Sequence, residues 1–359
     1  MRARELGLPL IGTTGPDNAI TDVPGVEVGY TTLAHGDSVR TGVTAILPRP
    51  RAQVQLPCVA GWHALNGNGE MTGTTWLTET GALRLPVMIT NTHAIGPVHR
   101  GVIDWTVRAH PAVAAEWMLP VVAETYDGYL NDINGPWIQP DHAIAAIEAA
   151  APGPVAEGSV GGGTGMICYG FKGGSGTASR TVPYGETTYT VGVFVQANFG
   201  ARDELTVCGI PVGSQLPADD PIADHRIPSG AGSVIVIVAT DAPLLPGQCT
   251  ALARRVPLGL ARTGTTGSIF SGDIFLAFST ADQGTLATGF PDGEPGYEQL
   301  RFIPWNRINP FHSAVVHAVE EAVLNALVAG RTMIGRDGHH VPGVPVDHLV
   351  ELVTRSRQA

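Results

Sequence analysis

The stretch Ser229-Gly-Ala-Gly-Ser233 runs straight into Val234-Ile-Val-Ile-Val-Ala239. A flexible turn therefore delivers a serine onto the first position of a strand that is apolar without a break. A serine there has its hydroxyl fixed by a rigid element and its preceding peptide in a loop. If the chain cuts itself between Gly232 and Ser233, the serine gains a free α-amine. Such an amine has an unperturbed pKa of about 8, so at neutral pH it can serve as base for the hydroxyl of its own residue. In the cut itself the hydroxyl attacks the Gly232 carbonyl, and water hydrolyses the resulting ester. The ordinary alternative is a turn whose serine merely starts a strand. Ser268 after Gly267 and Ser271 after Phe270 are competing cut sites.

Three further clusters border strand-like runs. Ala123-Glu124-Thr125-Tyr126-Asp127-Gly128 follows Leu119-Pro-Val-Val122, and Gln196-Ala-Asn198-Phe-Gly200 follows Thr190-Val-Gly-Val-Phe-Val195. Ser271-Gly-Asp273 precedes Ile274-Phe-Leu-Ala-Phe278. Singly, each has a plain reading: Glu124 and Asp127 as solvated charges, Tyr126 as packing, Asn198 as a turn residue, Ser271 and Asp273 as a hydroxyl or Asx turn. Together, at one edge of a sheet, they favour a site. Acyl transfer needs a nucleophile, a base titrating near neutrality and donors aimed at the developing oxyanion. Asn198 can supply such a donor, and a carboxylate such as Glu124 can pair with a substrate ammonium.

Runs of strand length recur at Val43–Leu47, Leu85–Ile89, Pro120–Ala123, Tyr189–Val195, Val234–Ala239 and Ile274–Phe278. Helical spacing predicts helices over Gly96–Ala109, Asp141–Ala150, Leu244–Thr263, Pro310–Gly330 and Val346–Thr354. Strands that are apolar on both faces need cover on both sides, which predicts one domain over 1–359 with α/β/β/α layers. The stretch Gly200–Gly232, with Asp203, Glu204, Asp219, Asp220 and Asp224, shows little periodicity and reads as a long structureless loop leading to Ser233.

The 359 residues are 43% hydrophobic and only 15% charged, enough for a sizeable core. A net charge of −11 without any basic cluster argues against nucleic acid or an anionic membrane as partner. Cys58, Cys168, Cys208 and Cys249 form no C-x-x-C pair and read as small core residues. His93 and His99 suit no metal-binding face, His339 and His340 sit in a polar stretch, and neither metal nor cofactor is expected. Gly161-Gly-Gly-Thr-Gly165 lacks the Lys-Ser/Thr pair of a phosphate loop. With no apolar segment of secretory or membrane-spanning kind, the expectation is a cytoplasmic protein.

At these positions the chain resembles the family of L-aminopeptidase/D-amidase-esterases and β-peptidyl aminopeptidases, the DmpA-like group. The likeness runs through Asn18-Ala-Ile-Thr-Asp22-Val-Pro-Gly-Val26, Asn91-Thr-His-Ala-Ile-Gly96, Glu124–Gly128, Val195–Gly200, Gly232-Ser233 with Ala239–Leu244, and Ser271–Phe278. It implies a sandwich like that of N-terminal-nucleophile hydrolases and a precursor cut into an α chain, 1–232, and a β chain, 233–359. It also implies a tetramer of αβ pairs that removes N-terminal residues from peptides, amides or esters. On that likeness Ser233 is the nucleophile, Asn198 the oxyanion donor, and Ser271 with Asp273 assist proton movement at Ser233. Glu124 holds the substrate ammonium and Tyr126 lines the oxyanion side. Some relatives carry Glu where this chain has Asp273, one methylene shorter. An acyltransferase on a related self-cleaving scaffold and an inactive binding protein of the same fold are the rival readings. Loops including Trp62–Gly69 and Trp137 are expected to shape the substrate pocket.

Overall fold

The computed structural model describes residues 1–217, 220, 228–291 and 293–358. Its strands begin with β1 (Glu27–His35), β2 (Val39–Leu47), β3 (Cys58–Ala64), β4 (Ala82–Leu83), β5 (Val87–Asn91) and β6 (Val121–Thr125). Next come the short ribbon β7 (Ile167–Cys168) and β8 (Phe171–Lys172), then β9 (Gly174–Tyr184) and β10 (Thr187–Asn198). A second ribbon, β11 (Thr206–Val207) and β12 (Ile210–Pro211), precedes β13 (Gly232–Thr240) and β14 (Ser271–Ser279). A last ribbon is β15 (Met333–Ile334) with β16 (His340–Val341). The helices are α1 (Thr74–Thr80), α2 (Ile95–Ala109), α3 (Pro111–Ala114) and α4 (Pro140–Glu148). They continue with α5 (Pro246–Ala253), α6 (Val256–Ala261), α7 (Asn309–Ala329) and α8 (Val346–Gln358).

A four-stranded sheet has the order β1-β2-β5-β6, and a six-stranded sheet has the order β4-β3-β14-β13-β10-β9. Within them β5 with β6 and β13 with β14 pair in parallel; the other pairs are antiparallel. Alternation along β13 assigns its two faces. Ile235, Ile237 and Ala239 join Ile46, Val87, Ile89 and Ala123 in the core between the sheets. Val234, Val236 and Val238 face Leu252, Leu260, Val315 and Val319 of α5, α6 and α7. On the far side Val43, Ala45, Met88 and Val122 pack against Val98, Val102, Ala143 and Ile147 of α2 and α4. The result is the four-layer α/β/β/α sandwich. Each fully buried Val or Ile side chain of β13 contributes about 1.5–3 kcal/mol, which anchors the strand carrying Ser233 between the two layers it faces. Among the described residues no helix is long and apolar enough to cross a membrane.

The departures from the sequence expectation have local causes. Leu85–Ile89 does not form one strand, because Leu85 takes φ +70° and separates β4 from β5. Leu244–Thr263 is two helices: Pro257 has no N–H to give the carbonyl four residues back, so α5 ends and α6 starts anew. β1, β3 and β9 lie outside the runs singled out in the sequence. β9 is rich in Gly, Ser and Thr, yet it pairs along its length with β10, and Asn325 of α7 donates to its Thr177 carbonyl at 2.9 Å. The stretch after Gly200 is not structureless over 202–215, where two 3-10 turns flank the β11–β12 ribbon. Asp219 and Asp224 lie outside the described residues. Gly161–Gly163 forms a buried 3-10 turn, its Gly161 and Gly162 N–H groups donating to Thr32 and Thr44 of the four-stranded sheet.

Candidate active site

Ser233 is the second residue of β13 and pairs directly with Asn198, the last residue of β10. Directly opposed antiparallel residues share a face, and here it is the face toward the four-stranded sheet. The chain leaving β6 on that other sheet meets them: the Tyr126 N–H donates to Ser233 Oγ at 3.2 Å. Asn198 is held at both ends of its amide. Its Oδ1 accepts from the Ile167 N–H at 2.8 Å, and its Nδ2 donates to the Tyr126 carbonyl at 3.0 Å. The amide therefore keeps its donor end on the Tyr126 side, next to Ser233. Ser233, Asn198, Tyr126, Glu124, Thr92 and Phe270 share the wall of a cavity of about 400 Å³.

Glu124 is buried at the C-terminal end of β6, one strand position before Thr125. One carboxylate oxygen accepts from the Glu70 N–H at 3.0 Å and the other from the Thr92 hydroxyl. Burial pushes its pKa above the usual carboxylate range, against these two hydrogen bonds. A cation brought into the cavity would relieve that penalty.

Ser271 and Asp273 sit differently. The parallel register opposes Gly232 to Ser271, Ser233 to Gly272 and Val234 to Asp273. Side chains alternate, so Ser271 and Asp273 lie on the helix side of the sheet and cannot address the Ser233 hydroxyl directly. They flank the backbone that enters Ser233. Ser271 Oγ donates to Asp273 at 2.5 Å, and the Asp273 carboxylate also accepts from the Val234 N–H. Asn66 brackets the same acid: its Nδ2 donates to Asp273 at 3.0 Å and its Oδ1 accepts from the Asp273 N–H at 2.7 Å. Burial raises the Asp273 pKa while those hydrogen bonds pull it down. Between Ser271 and Asp273 lies Gly272, where a Cβ would fall 2.4 Å from the Asn68 carbonyl; the loop 66–70 can cross the strand only because that atom is missing.

The structure thus brings together Ser233, Asn198, Tyr126 and Glu124 on one face and sets Ser271 with Asp273 behind them. Asn198 is a strand residue rather than a turn, Ser271 and Asp273 belong to β14, and Glu124 is not solvated. Tyr126 contributes its N–H, while its ring is about half exposed and meets His93 edge-on. Of the loop Trp62–Gly69 only Asn68 lines the cavity, and Trp137 does not line it but donates to Asp132 at 3.1 Å. Among the competing serines, the Ser268 hydroxyl is engaged with the Phe270 N–H at 3.2 Å, and neither it nor Ser271 lines the cavity. Sequence reasoning gave no role to Thr92, Tyr129 or Ile167, and named Asn66 only within the loop Trp62–Gly69. Thr92 and Asn66 follow the ends of β5 and β3, so tracing both strands to their C-terminal ends would have found them.

The family model for peptidase family S58 matches residues 18–341. The chain is 46% identical to the β-peptidyl aminopeptidase BapA of Sphingosinicella microcystinivorans, over 99% of this chain and 93% of that protein. Its counterpart from Sphingosinicella xenopeptidilytica is 43% identical, over 98% and 90%. Among solved structures, the L-aminopeptidase D-Ala-esterase/amidase of Ochrobactrum anthropi, described as a new variant of the Ntn hydrolase fold, superposes with a TM-score of 0.92. It is 44% identical, with 99% of each chain covered. A β-aminopeptidase of a Burkholderia species gives a TM-score of 0.90 at 46% identity, again over 99% of each chain.

Proposed function

This chain belongs to peptidase family S58 and has its Ntn hydrolase fold, and from that premise we propose that it is an aminopeptidase which makes its own nucleophile by severing the Gly232–Ser233 bond. The observation that carries the reading is the joint position of Ser233: at the rim of the larger sheet, opposite Asn198, with the Tyr126 N–H on its hydroxyl. Cleavage divides the chain into 1–232 and 233–359. The new α-amine of Ser233 emerges beside Ser271, the neighbour of Gly232 in the parallel register. Ser271 and Asp273 then hold and exchange the proton on that amine, which takes up the proton of the Ser233 hydroxyl as Oγ attacks.

The substrate is a short peptide, or an aminoacyl amide or ester, with a free N-terminus. Its ammonium binds Glu124, its acyl carbon meets Ser233 Oγ, and the oxyanion that forms takes hydrogen bonds from Asn198 Nδ2 and the Tyr126 N–H. The amine leaves with the proton held at Ser233, and water releases the acyl group from the ester by the same steps in reverse. The apolar Leu65, Ile269 and Phe270 remain exposed near the N-terminal end of β14 and support assembly into the tetramer of αβ pairs that the family likeness implies; sedimentation velocity tests it. The central test is the Ser233→Ala variant. It should give a single full-length chain without turnover of an aminoacyl p-nitroanilide, where the parent gives two fragments, the smaller beginning Ser-Val. Full-mass parent protein that still hydrolyses the substrate would refute the reading.

A further inference from the structure

Lys172 is fully buried, and no role in the reaction has been given to it. In the β7–β8 ribbon it stands opposite Ile167. Its Nζ donates to the Met166 carbonyl at 2.6 Å and to the Gly173 carbonyl at 3.2 Å. The carbonyl of Met166 and the N–H of Ile167 belong to one peptide plane, and that N–H is the donor which fixes Asn198 Oδ1 at 2.8 Å. The path therefore runs from a buried amine, through a single rigid peptide, to the amide whose other end faces Ser233.

We propose that Lys172 is a positioning residue for the oxyanion site: together with the Gly173 N–H, which donates to the same oxygen at 2.9 Å, it holds the Met166 carbonyl and so sets the Met166–Ile167 peptide and, through it, the orientation of the Asn198 amide. Two physical effects act in the same direction. A donor on the carbonyl oxygen fixes the peptide plane against rotation, since the plane moves as a unit. It also polarises the peptide, which strengthens the N–H bond at the far side. Without the Ile167 N–H on Oδ1, the Asn198 side chain could rotate its oxygen toward Ser233, where an acceptor opposes an oxyanion. Burying an amine among carbonyls is costly, and burial draws the Lys172 pKa down to about 7 against the opposing pull of Cys168 and Asp127. Protonated or neutral, Nζ still carries hydrogens to donate.

The inference rests on Asn198 being the oxyanion donor, and a double-mutant cycle separates the two. Lys172→Met, Asn198→Ala and the double variant are assayed on an aminoacyl p-nitroanilide, with kcat expressed per processed subunit as counted by intact mass. Lys172→Met should lower kcat about 10-fold, a fraction of the loss from deleting the donor itself, with KM changed less than about 2-fold. In the Asn198→Ala background the same substitution should have no further effect, because the group it orients is gone. An equal loss in both backgrounds, or one carried by KM, overturns the positioning role while leaving Asn198 in place. A wild-type kcat for Asn198→Ala removes the donor reading and this inference with it. Should Lys172→Met fail to fold, Lys172→Gln takes its place in the cycle with the same two outcomes decisive.

Discussion

Gly232 approaches the neighbouring strand so closely that a Cβ built on it would lie 1.9 Å from the Asn198 carbonyl. Its φ of +159° is nearly extended, so what demands glycine is the missing atom rather than an unusual backbone. Gly232→Ala must push β13 away from β10 where Ser233, the proposed nucleophile, pairs with Asn198, the proposed donor. The expected outcome is a loss of about 1–3 kcal/mol by denaturant melting together with slower fragment formation on a gel. Asn198→Ala should cost about 100- to 1000-fold in kcat with little change in KM. Glu124→Gln tests the other end of the substrate. Loss of a hydrogen bond to a charged group is worth about 1.5–3 kcal/mol, so kcat/KM should fall roughly 10- to 100-fold for a substrate with a free amine. An N-acetylated substrate should be unaffected by the change. Ser233, Asn198, Glu124 and Asp273 were legible because each borders a run of apolar residues. Lys172 was not: nothing in Phe171-Lys172-Gly173 distinguishes an amine in the interior from one in water.

Register does at the level of elements what identity does at the level of residues. The sequence marks β13 and β14 by their apolar runs but says nothing of their parallel pairing. That pairing puts the Ser271–Asp273 pair behind the Ser233 backbone instead of in front of its hydroxyl. The segment after β6 shows the same limit, since Asp127 reads as a surface charge yet is buried beneath the Tyr126 turn, accepting from Asn131 at 2.9 Å. Burial raises its pKa to about 7, against hydrogen bonds from Thr41, Asn131 and Asn91. The unfolded chain gives up this proton near pH 4. Stability from Asp127 is therefore full below about pH 4 and lost as pH rises toward about 7. Asp127→Asn removes that dependence. The difference in Tm between variant and parent should shift in favour of the variant across this window and stay level above it, which a melting series reads directly.

Over the whole molecule, the N-terminal segment is tied to α7 through one buried acid. Glu321 pairs with Arg180 at 2.6 Å and Arg4 at 2.7 Å, and accepts from Asn18 at 2.6 Å. Burial alone would raise its pKa, but the hydrogen bonds from Arg4 and Asn18 and the charge of Arg180 hold it below the ordinary value. Its contribution is present above the unfolded pKa of about 4.3 and disappears as pH falls through the lower folded value. Glu321→Gln leaves Arg180 buried without its counter-charge and should cost about 3–5 kcal/mol near neutrality, narrowing toward acid pH in urea titrations. Alternation across the two sheets and their two helix-bearing faces was readable from the apolar runs; this cross-connection was not, because Arg4, Arg180 and Glu321 meet only after folding.

In the six-stranded sheet β14 and β13 lie between β3 on one side and β10 on the other. The cut proposed at Gly232 would therefore leave two polypeptides interleaved, the shorter supplying the central strands and the longer the flanking ones. Neither can complete the six-stranded sheet alone, so recovery from denaturant changes kinetic order: the Ser233→Ala precursor regains its fold in a first-order reaction, while a processed protein must find its other half by collision. Its midpoint and its recovered fraction then depend on concentration.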